Sequence, residues 1–328
     1  MSENKTYTQM RNEFQEKFFK EISPIIRQFE QERIKNLIIS IVFTIIFSIL
    51  CVAIFMFTAL KMNTGLLQNC LGIVGFCIGY LAFATIPYTK KCFENSIKSE
   101  IMPLICSCYG NLTWTNDEYY SDNIFYDSNI IVNYPRCNSK YDDMFIGSYK
   151  GVDYEILELL WEKTSSLVKI VQHDGILIKL KMNKPFKGET FIESHKKIVR
   201  GGLMSVLSYE HLNLENNGKM NLIKLEDAEF NEKYDVYTDD EVEARYLLTT
   251  SFMQRLKTMK VAFRADKIKC SFYKDYLLIG LFTKKDLFSI CSLFKRIDEP
   301  KQFFTMYEEI VSVIKLIDHF KLDQKIGM

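Results

Sequence analysis

The chain has 328 residues, 48% apolar and 25% charged, a composition that excludes a fully disordered protein. Forty-two Lys and Arg oppose forty-one Asp and Glu, so the basic bias of nucleic-acid-binding proteins is absent and we expect no nucleic-acid partner. Nine scattered cysteines do not indicate a disulfide scaffold, and the length predicts about two units.

Residues 1–35 predict an amphipathic helical arm. Five apolar residues recur at three- and four-residue spacing, on one helix face: Phe14, Phe18, Ile22, Ile25 and Phe29. This stripe either packs on the rest of the protein or lies on a membrane surface. Glutamates along the arm oppose binding to anionic lipid, so packing is the favoured interpretation.

Residues 36–88 predict two transmembrane helices. Residues 37–60 form a run of 24 without Asp, Glu, Lys, Arg or His, and residues 66–86 form a second run of 21. Helices of this length are about 36 and 31 Å long, enough to cross a hydrocarbon core of about 30 Å. Two buried helices of a soluble core are the alternative, which two such long uncharged runs disfavour.

The flanking charges predict the orientation of these spans. The short linker 61–65 requires an antiparallel hairpin. Basic residues lie mainly outside it, at Arg33, Lys35, Lys90, Lys91 and Lys98, whereas only Lys61 lies between the spans. Because positive charge is retained on the inner side of the membrane, we expect a multi-pass protein in the lipid bilayer with both termini in the cytoplasm.

Three glycines on the second predicted span are candidates for helix packing. They are Gly72, Gly75 and Gly79, and the last two have the GxxxG spacing that lets two helices approach closely in lipid. The partner is the first span, another membrane protein or a second copy of this chain.

Residues 89–328 predict a cytoplasmic α+β domain with a mostly antiparallel sheet and flanking helices. Strand-like segments occur at 124–134, 142–149, 153–161, 167–172, 176–182, 261–272 and 276–282. Turns are expected at 149–152 and, from an Asp-Gly signal, at 173–175. Capping boxes predict helices beginning at Thr238 and Ser251, and a final amphipathic helix follows Pro300.

An acidic group near the predicted helix start at Thr238 is the most prominent candidate site. It comprises Asp239, Asp240, Glu241 and Glu243, with Arg245 on the same helix. Paired carboxylates can bind a cation or transfer protons. Acidic residues in a first helical turn also offset the helix dipole, and Arg245 lies four residues after Glu241. The structural interpretation is favoured, with Arg245 bridging to Glu241 and to Asp235 or Asp239.

No motif indicates a metal or a cofactor, and we expect neither. The four histidines stand apart from one another, outside any HExxH pattern, and the chain has no P-loop, Gly-rich dinucleotide pattern or nucleophile elbow. No catalytic residue is therefore assigned.

Several segments resemble a known family. They are Leu225–Phe230, Tyr234–Asp240, Glu243–Thr249 and Phe252–Leu256, together with Gly147–Val152 followed by Glu155 and Glu158. The chain resembles the bacterial family Domain of Unknown Function 3137 (DUF3137), whose layout also has an N-terminal arm ahead of two spans. The resemblance implies a protein of the bacterial inner membrane with a cytoplasmic domain, and it brings no catalytic residues.

Two classes of function remain open. The first is a membrane-tethered binding or scaffolding module that meets another protein or lipid on its cytoplasmic face. The second is a membrane-anchored enzyme with an unrecognised acidic site near residues 235–255. The absence of a catalytic motif favours the first.

Overall fold

The computed structural model describes residues 6–60, 93–116, 123–131, 137–164, 169–195, 220–290 and 296–319. The chain divides into two compact units, which are considered separately. One unit contains residues 8–108 and 289–303, and the other contains residues 1–7, 109–288 and 304–328. The predicted boundaries at residues 35 and 88 stay predictions.

The N-terminal arm is helical. Helix α1 (Tyr7–Lys17) continues through a π-helical turn, Phe18–Ile22, into α2 (Ser23–Leu60). The arm buries a stripe of residues spaced four apart, namely Met10, Phe14, Phe18, Ile22 and Ile26. Such a stripe drifts around a regular α-helix of 3.6 residues per turn, and the wider π turn offsets the drift. Ile25, predicted to belong to the stripe, is only partly buried.

The arm packs against later parts of its own unit. The rings of Phe18 and Phe303 lie 5.4 Å apart, and Phe29 contacts Phe93 of helix α3 (93–106) at 6.1 Å. The Glu30 carboxylate accepts two bonds from Arg33, at 2.8 and 2.7 Å, and one from the Ile297 N–H at 3.2 Å. The bonds from Arg33 and from Ile297 lower the pKa of Glu30, and bonding to Arg33 has the larger effect.

Within the described part of the chain, one helix is long and apolar enough to cross a membrane. It runs over Tyr7–Leu50, and its most apolar stretch of 18 residues has a mean hydropathy of 1.9 and is 6% buried. Large apolar side chains along it face outward, including Ile39 and Phe43, which are 63% and 64% exposed. The predicted second span, with Gly72, Gly75 and Gly79, lies outside the described residues.

The other unit is built on a nine-stranded sheet in which the recorded pairings are antiparallel. The strands are β1 (Asn111–Thr115), β2 (Cys137–Tyr149), β3 (Val152–Thr164), β4 (Lys169–Lys181), β5 (Thr190–Ser194), β6 (Asn221–Ile223), β7 (Tyr234–Thr238), β8 (Lys267–Tyr273) and β9 (Tyr276–Phe282). Their order is β1-β2-β3-β4-β9-β8-β5-β7-β6. The predicted α+β class with a mostly antiparallel sheet is confirmed.

Helices flank this sheet. They are α4 (Ile124–Asp127), α5 (Ala228–Asn231), α6 (Glu241–Leu247), α7 (Thr250–Ala262) and α8 (Pro300–His319). Phe125 of α4 joins a buried cluster that includes Phe191. Phe252 of α7 contacts Phe272, with ring centroids 5.4 Å apart. Phe191 pairs with Ser271, and side chains alternate along a strand, so Phe191 and Phe272 lie on opposite faces. Both faces of the sheet are therefore covered.

Three predictions about this unit are wrong. Residues 124–127 are helical where a strand was predicted. Residues 261–266 end helix α7 and connect it to β8, so that strand begins later. The predicted turn at 173–175 is the middle of β4, which continues to Lys181. The turn predicted at 149–152 is confirmed, with Lys150 and Gly151 at positive φ as a tight hairpin requires.

Candidate functional site

Helix α6 carries the predicted acidic group, and its cap differs from the prediction. Asp240 is the N-cap, and its carboxylate accepts the Glu243 N–H at 3.0 Å. Thr238 precedes the helix in β7, where its hydroxyl accepts the Asp240 N–H at 3.1 Å. The capping box predicted at Thr238 is therefore displaced by two residues. The predicted cap Ser251 is likewise replaced by Thr249, which accepts the Phe252 N–H.

Two of the acidic residues fasten the loop that precedes β5. The Glu243 carboxylate accepts the N–H groups of Lys187, at 3.0 Å, and of Gly188, at 2.8 Å. Asp239 accepts the Glu189 N–H at 2.6 Å. A Cβ atom on Gly188 would lie 2.3 Å from Asp239 Oδ1, so only glycine allows this close approach. These carboxylates satisfy backbone donors of the loop, as buried or partly buried N–H groups require.

Arg245 forms a surface network around the same helix. Its guanidinium donates to Glu241 Oε1 at 2.6 Å, to Glu226 Oε1 at 2.6 Å and to the Lys224 carbonyl at 2.9 Å. The predicted bond to Glu241 is confirmed. The predicted bond to Asp235 or Asp239 is not among the recorded contacts, in which Asp239 accepts the Glu189 N–H and Asp235 pairs with His195. Bonding to Glu241 raises the pKa of Arg245 further. Because these carboxylates are exposed, water screens the network.

We expect the cap and the arginine to differ in their effect on folding. Asp240→Ala removes the N-cap bond and should lower the free energy of unfolding by about 1 kcal/mol. Arg245→Met removes a screened surface network and should have a smaller effect than Asp240→Ala. Thermal denaturation of the purified full-length variants measures both. A greater loss for Arg245→Met would show that the network supports the fold.

A second acidic group, which the sequence did not predict, lies between β2 and β3. It consists of Asp142, Asp143 and Glu158, whose ligand atoms lie within 4.8 Å of one another. Tyr141 pairs with Leu159 but Met144 pairs with Leu157, so two aspartates of β2 oppose one glutamate of β3. This arrangement is a β-bulge, which re-aims side chains and bends the strand. Neighbouring residues that would ordinarily face opposite sides of the sheet are thereby brought to one place.

This second group is deeply buried. Asp143 and Glu158 are both 0% exposed, and Asp142 is partly exposed. The Trp114 indole N–H donates to Asp143 Oδ1 at 2.7 Å, and the Leu287 N–H donates to Glu158 Oε1 at 3.1 Å. Each bond fixes the direction of one carboxylate. Glu158 alternates with Leu157 and Leu159, so it lies on the face of the sheet opposite the α4 cluster.

Glu309 of α8 is a further buried carboxylate of this unit. It is 4% exposed, and its Oε2 atom has no hydrogen-bond partner among the described residues. Burial raises the pKa of Glu309 from 4.5 to about 7, the charge of Arg264 opposes the rise, and the charge of Glu158 adds to it. The carboxylates of Glu158 and Glu309 are therefore close enough to interact.

The comparisons with known proteins agree with the resemblance drawn from the sequence. The family described as "Protein of unknown function (DUF3137)" has a model that matches part of the chain. Residues 171–322 match the DUF3137 family. The resemblance is confirmed over this segment, which includes α6 and α7; the bulge between β2 and β3 precedes it.

Other comparisons add little. No curated protein matches the chain significantly. Among solved structures, the crystal structure of the mycobacterial trehalose monomycolate transport factor A, TtfA, matches with 9% sequence identity and a TM-score of 0.32. That match covers 66% of this chain and 91% of TtfA. A likeness this weak carries no inference about this chain.

Proposed function

We propose that this protein is a membrane-tethered module whose cytoplasmic part binds another protein. The observation that carries the proposal is the outward-facing apolar surface of α2, exemplified by Ile39 and Phe43. In water, so long a run of exposed apolar side chains would be unfavourable, whereas a bilayer accommodates it. Elsewhere in the described residues, most large apolar side chains are buried.

The finer topology is part of the proposal and is supported by the sequence. Residues 37–60 and 66–86 form the hairpin, the bilayer is the bacterial inner membrane, and both termini are cytoplasmic. The distribution of Lys and Arg outside the hairpin supports this orientation. Gly75 and Gly79 supply the packing face of the second span, for the first span or for a second copy.

Binding is better supported than catalysis near residues 235–255. Asp239, Asp240 and Glu243 accept backbone bonds of the loop and the helix cap, which is a structural use of their charge. On the outer face of α6, by contrast, Val242 and Tyr246 are 81% and 63% exposed. They lie four residues apart and therefore share one helix face. Exposed apolar and aromatic side chains of this kind are typical of protein contact surfaces.

Reporter fusions and crosslinking together test the proposal. A reporter active only outside the cytoplasm should be inactive when fused after Lys5 or Met328 and active when inserted at Asn63. A photo-crosslinking amino acid at Val242 should give a discrete adduct in cells, and the same group at exposed Gln254 of α7 should not. An active reporter at Met328 would contradict the topology. Identical crosslinking patterns at the two positions would contradict the binding surface.

A further inference from the structure

We propose that Asp142, Asp143 and Glu158 form a binding site for a hard divalent cation such as Ca²⁺, Mg²⁺ or Mn²⁺. The site lies at the bulge between β2 and β3 and shares no residue with the acidic group of α6. It is a feature of the sheet unit itself and does not depend on the proposed function.

The chemistry of the three ligands fits this class of ion. Carboxylate oxygens are the preferred ligands of hard divalent cations, and three of them converge here. Two ligands on opposite sides of Ca²⁺ lie about 4.6–5.2 Å apart, from metal–oxygen distances of about 2.3–2.6 Å. The separations in this group, all within 4.8 Å, lie in the range that oxygen ligands around one calcium ion span.

Glu309 supplies an independent indication that a ligand belongs near this group. Its carboxylate is almost completely buried, and Oε2 accepts no hydrogen bond from a described residue. A buried polar atom without a partner is rare in proteins, and an ion or its bound water is one recognised explanation. The charges of Arg264 and of Glu158 both act on Glu309, so the carboxylates of Glu158 and Glu309 lie within electrostatic range of each other.

The supporting contacts resemble those of a preorganised ion site. Trp114 holds one oxygen of Asp143, and the backbone of Leu287 holds one oxygen of Glu158. Such outer contacts orient ligands and are important for affinity at known metal sites. Asp142 is the partly exposed member, which gives an ion a route from solvent to the two buried carboxylates.

Terbium luminescence tests the site directly. Tb³⁺ binds calcium-like oxygen sites, and the Trp114 indole, 2.7 Å from a proposed ligand, should transfer energy to it. The full-length protein in detergent should therefore give Tb³⁺ emission on tryptophan excitation, and added Ca²⁺, Mg²⁺ or Mn²⁺ should displace it. Absence of sensitised emission, or failure of all three ions to displace Tb³⁺, would overturn the proposal.

Matched variants locate the binding. Glu158→Gln should weaken Tb³⁺ binding by about tenfold or more, because loss of even an outer contact lowers metal affinity by about tenfold or more at known sites. Asp142→Asn should also weaken Tb³⁺ binding. Because Asp142 is partly exposed, this substitution should cost little folding stability, so it tests the site even if Glu158→Gln does not fold. Glu155→Gln, on the same strand but paired with Lys179, is the control and should bind as the parent does. Equal binding by Asp142→Asn and the parent, or equal loss in Glu155→Gln, would overturn the site.

Discussion

Gly175→Ala is expected to destabilise the sheet unit severely. Gly175 lies in the middle of β4 with φ at +137°, a conformation that residues with a side chain rarely adopt. A Cβ atom there would lie 2.1 Å from the Leu281 carbonyl oxygen of β9. Because this neighbour is backbone in a central strand, relief requires the strands to separate. We expect a loss of about 3 kcal/mol or more in the free energy of unfolding.

Gly151→Ala is the matched control for this experiment. Gly151 also has positive φ, at +80°, but an added Cβ would meet nothing within 4 Å. Its cost should be only the left-handed conformation, about 1–2 kcal/mol. Denaturant unfolding followed by tryptophan fluorescence compares the two. If the variants were equally stable, the close approach of β4 and β9 would be refuted.

Glu309→Gln is expected to stabilise the protein at alkaline pH. The pKa of Glu309 is raised by burial from 4.5 to about 7. Below pH 4.5 the group is protonated in both the folded and the unfolded chain, and its contribution to stability is fully present. As the pH rises through about 7, this contribution to the free energy of unfolding is lost. At about 1.4 kcal/mol per pKa unit, the loss amounts to about 3 kcal/mol.

The glutamine variant keeps a neutral side chain at every pH. Its stability should therefore exceed that of the parent at pH 8, and the two should converge at pH 4.5. Thermal denaturation at a series of pH values, in the presence of a chelator, measures the difference. Glu308→Gln, one residue earlier and exposed, should follow the parent curve. A parent and Glu309→Gln with parallel curves would show that the buried carboxyl does not titrate in this range.

The periodic features of this chain were predictable from its sequence. The spacing of Phe14, Phe18 and Ile22 predicted a helical arm with one buried face, and the packing preference inferred from its glutamates agrees with the burial. Alternating apolar residues predicted most of the sheet, including the hairpin at Lys150 and Gly151. The spacing of apolar residues within one helix or strand reflects the geometry of that element alone, so it can be read from the sequence.

Features that depend on a neighbouring strand could not be predicted. Asp174-Gly175 is a common turn signal, but pairing with β3, which extends from Lys169 to Leu180, keeps the chain extended through Gly175. Asp142 and Asp143 are adjacent, so regular alternation assigns them to opposite faces, and only the bulge unites them with Glu158. The one local clue was a glutamate within the apolar run of β3. A charge in such a run indicates a buried polar partner or a ligand.

The packing of the N-terminal arm also sets an order of events during synthesis. Glu30 bonds to Ile297, which follows it by 267 residues in the chain. At about 5–20 residues per second, roughly 15–50 s pass between translation of the arm and translation of its partner. Throughout that interval the apolar stripe of the arm is complete but lacks part of the surface that covers it, including Phe303. Until those partners are made, a chaperone or a membrane surface is the kind of contact that would cover the exposed part of this stripe.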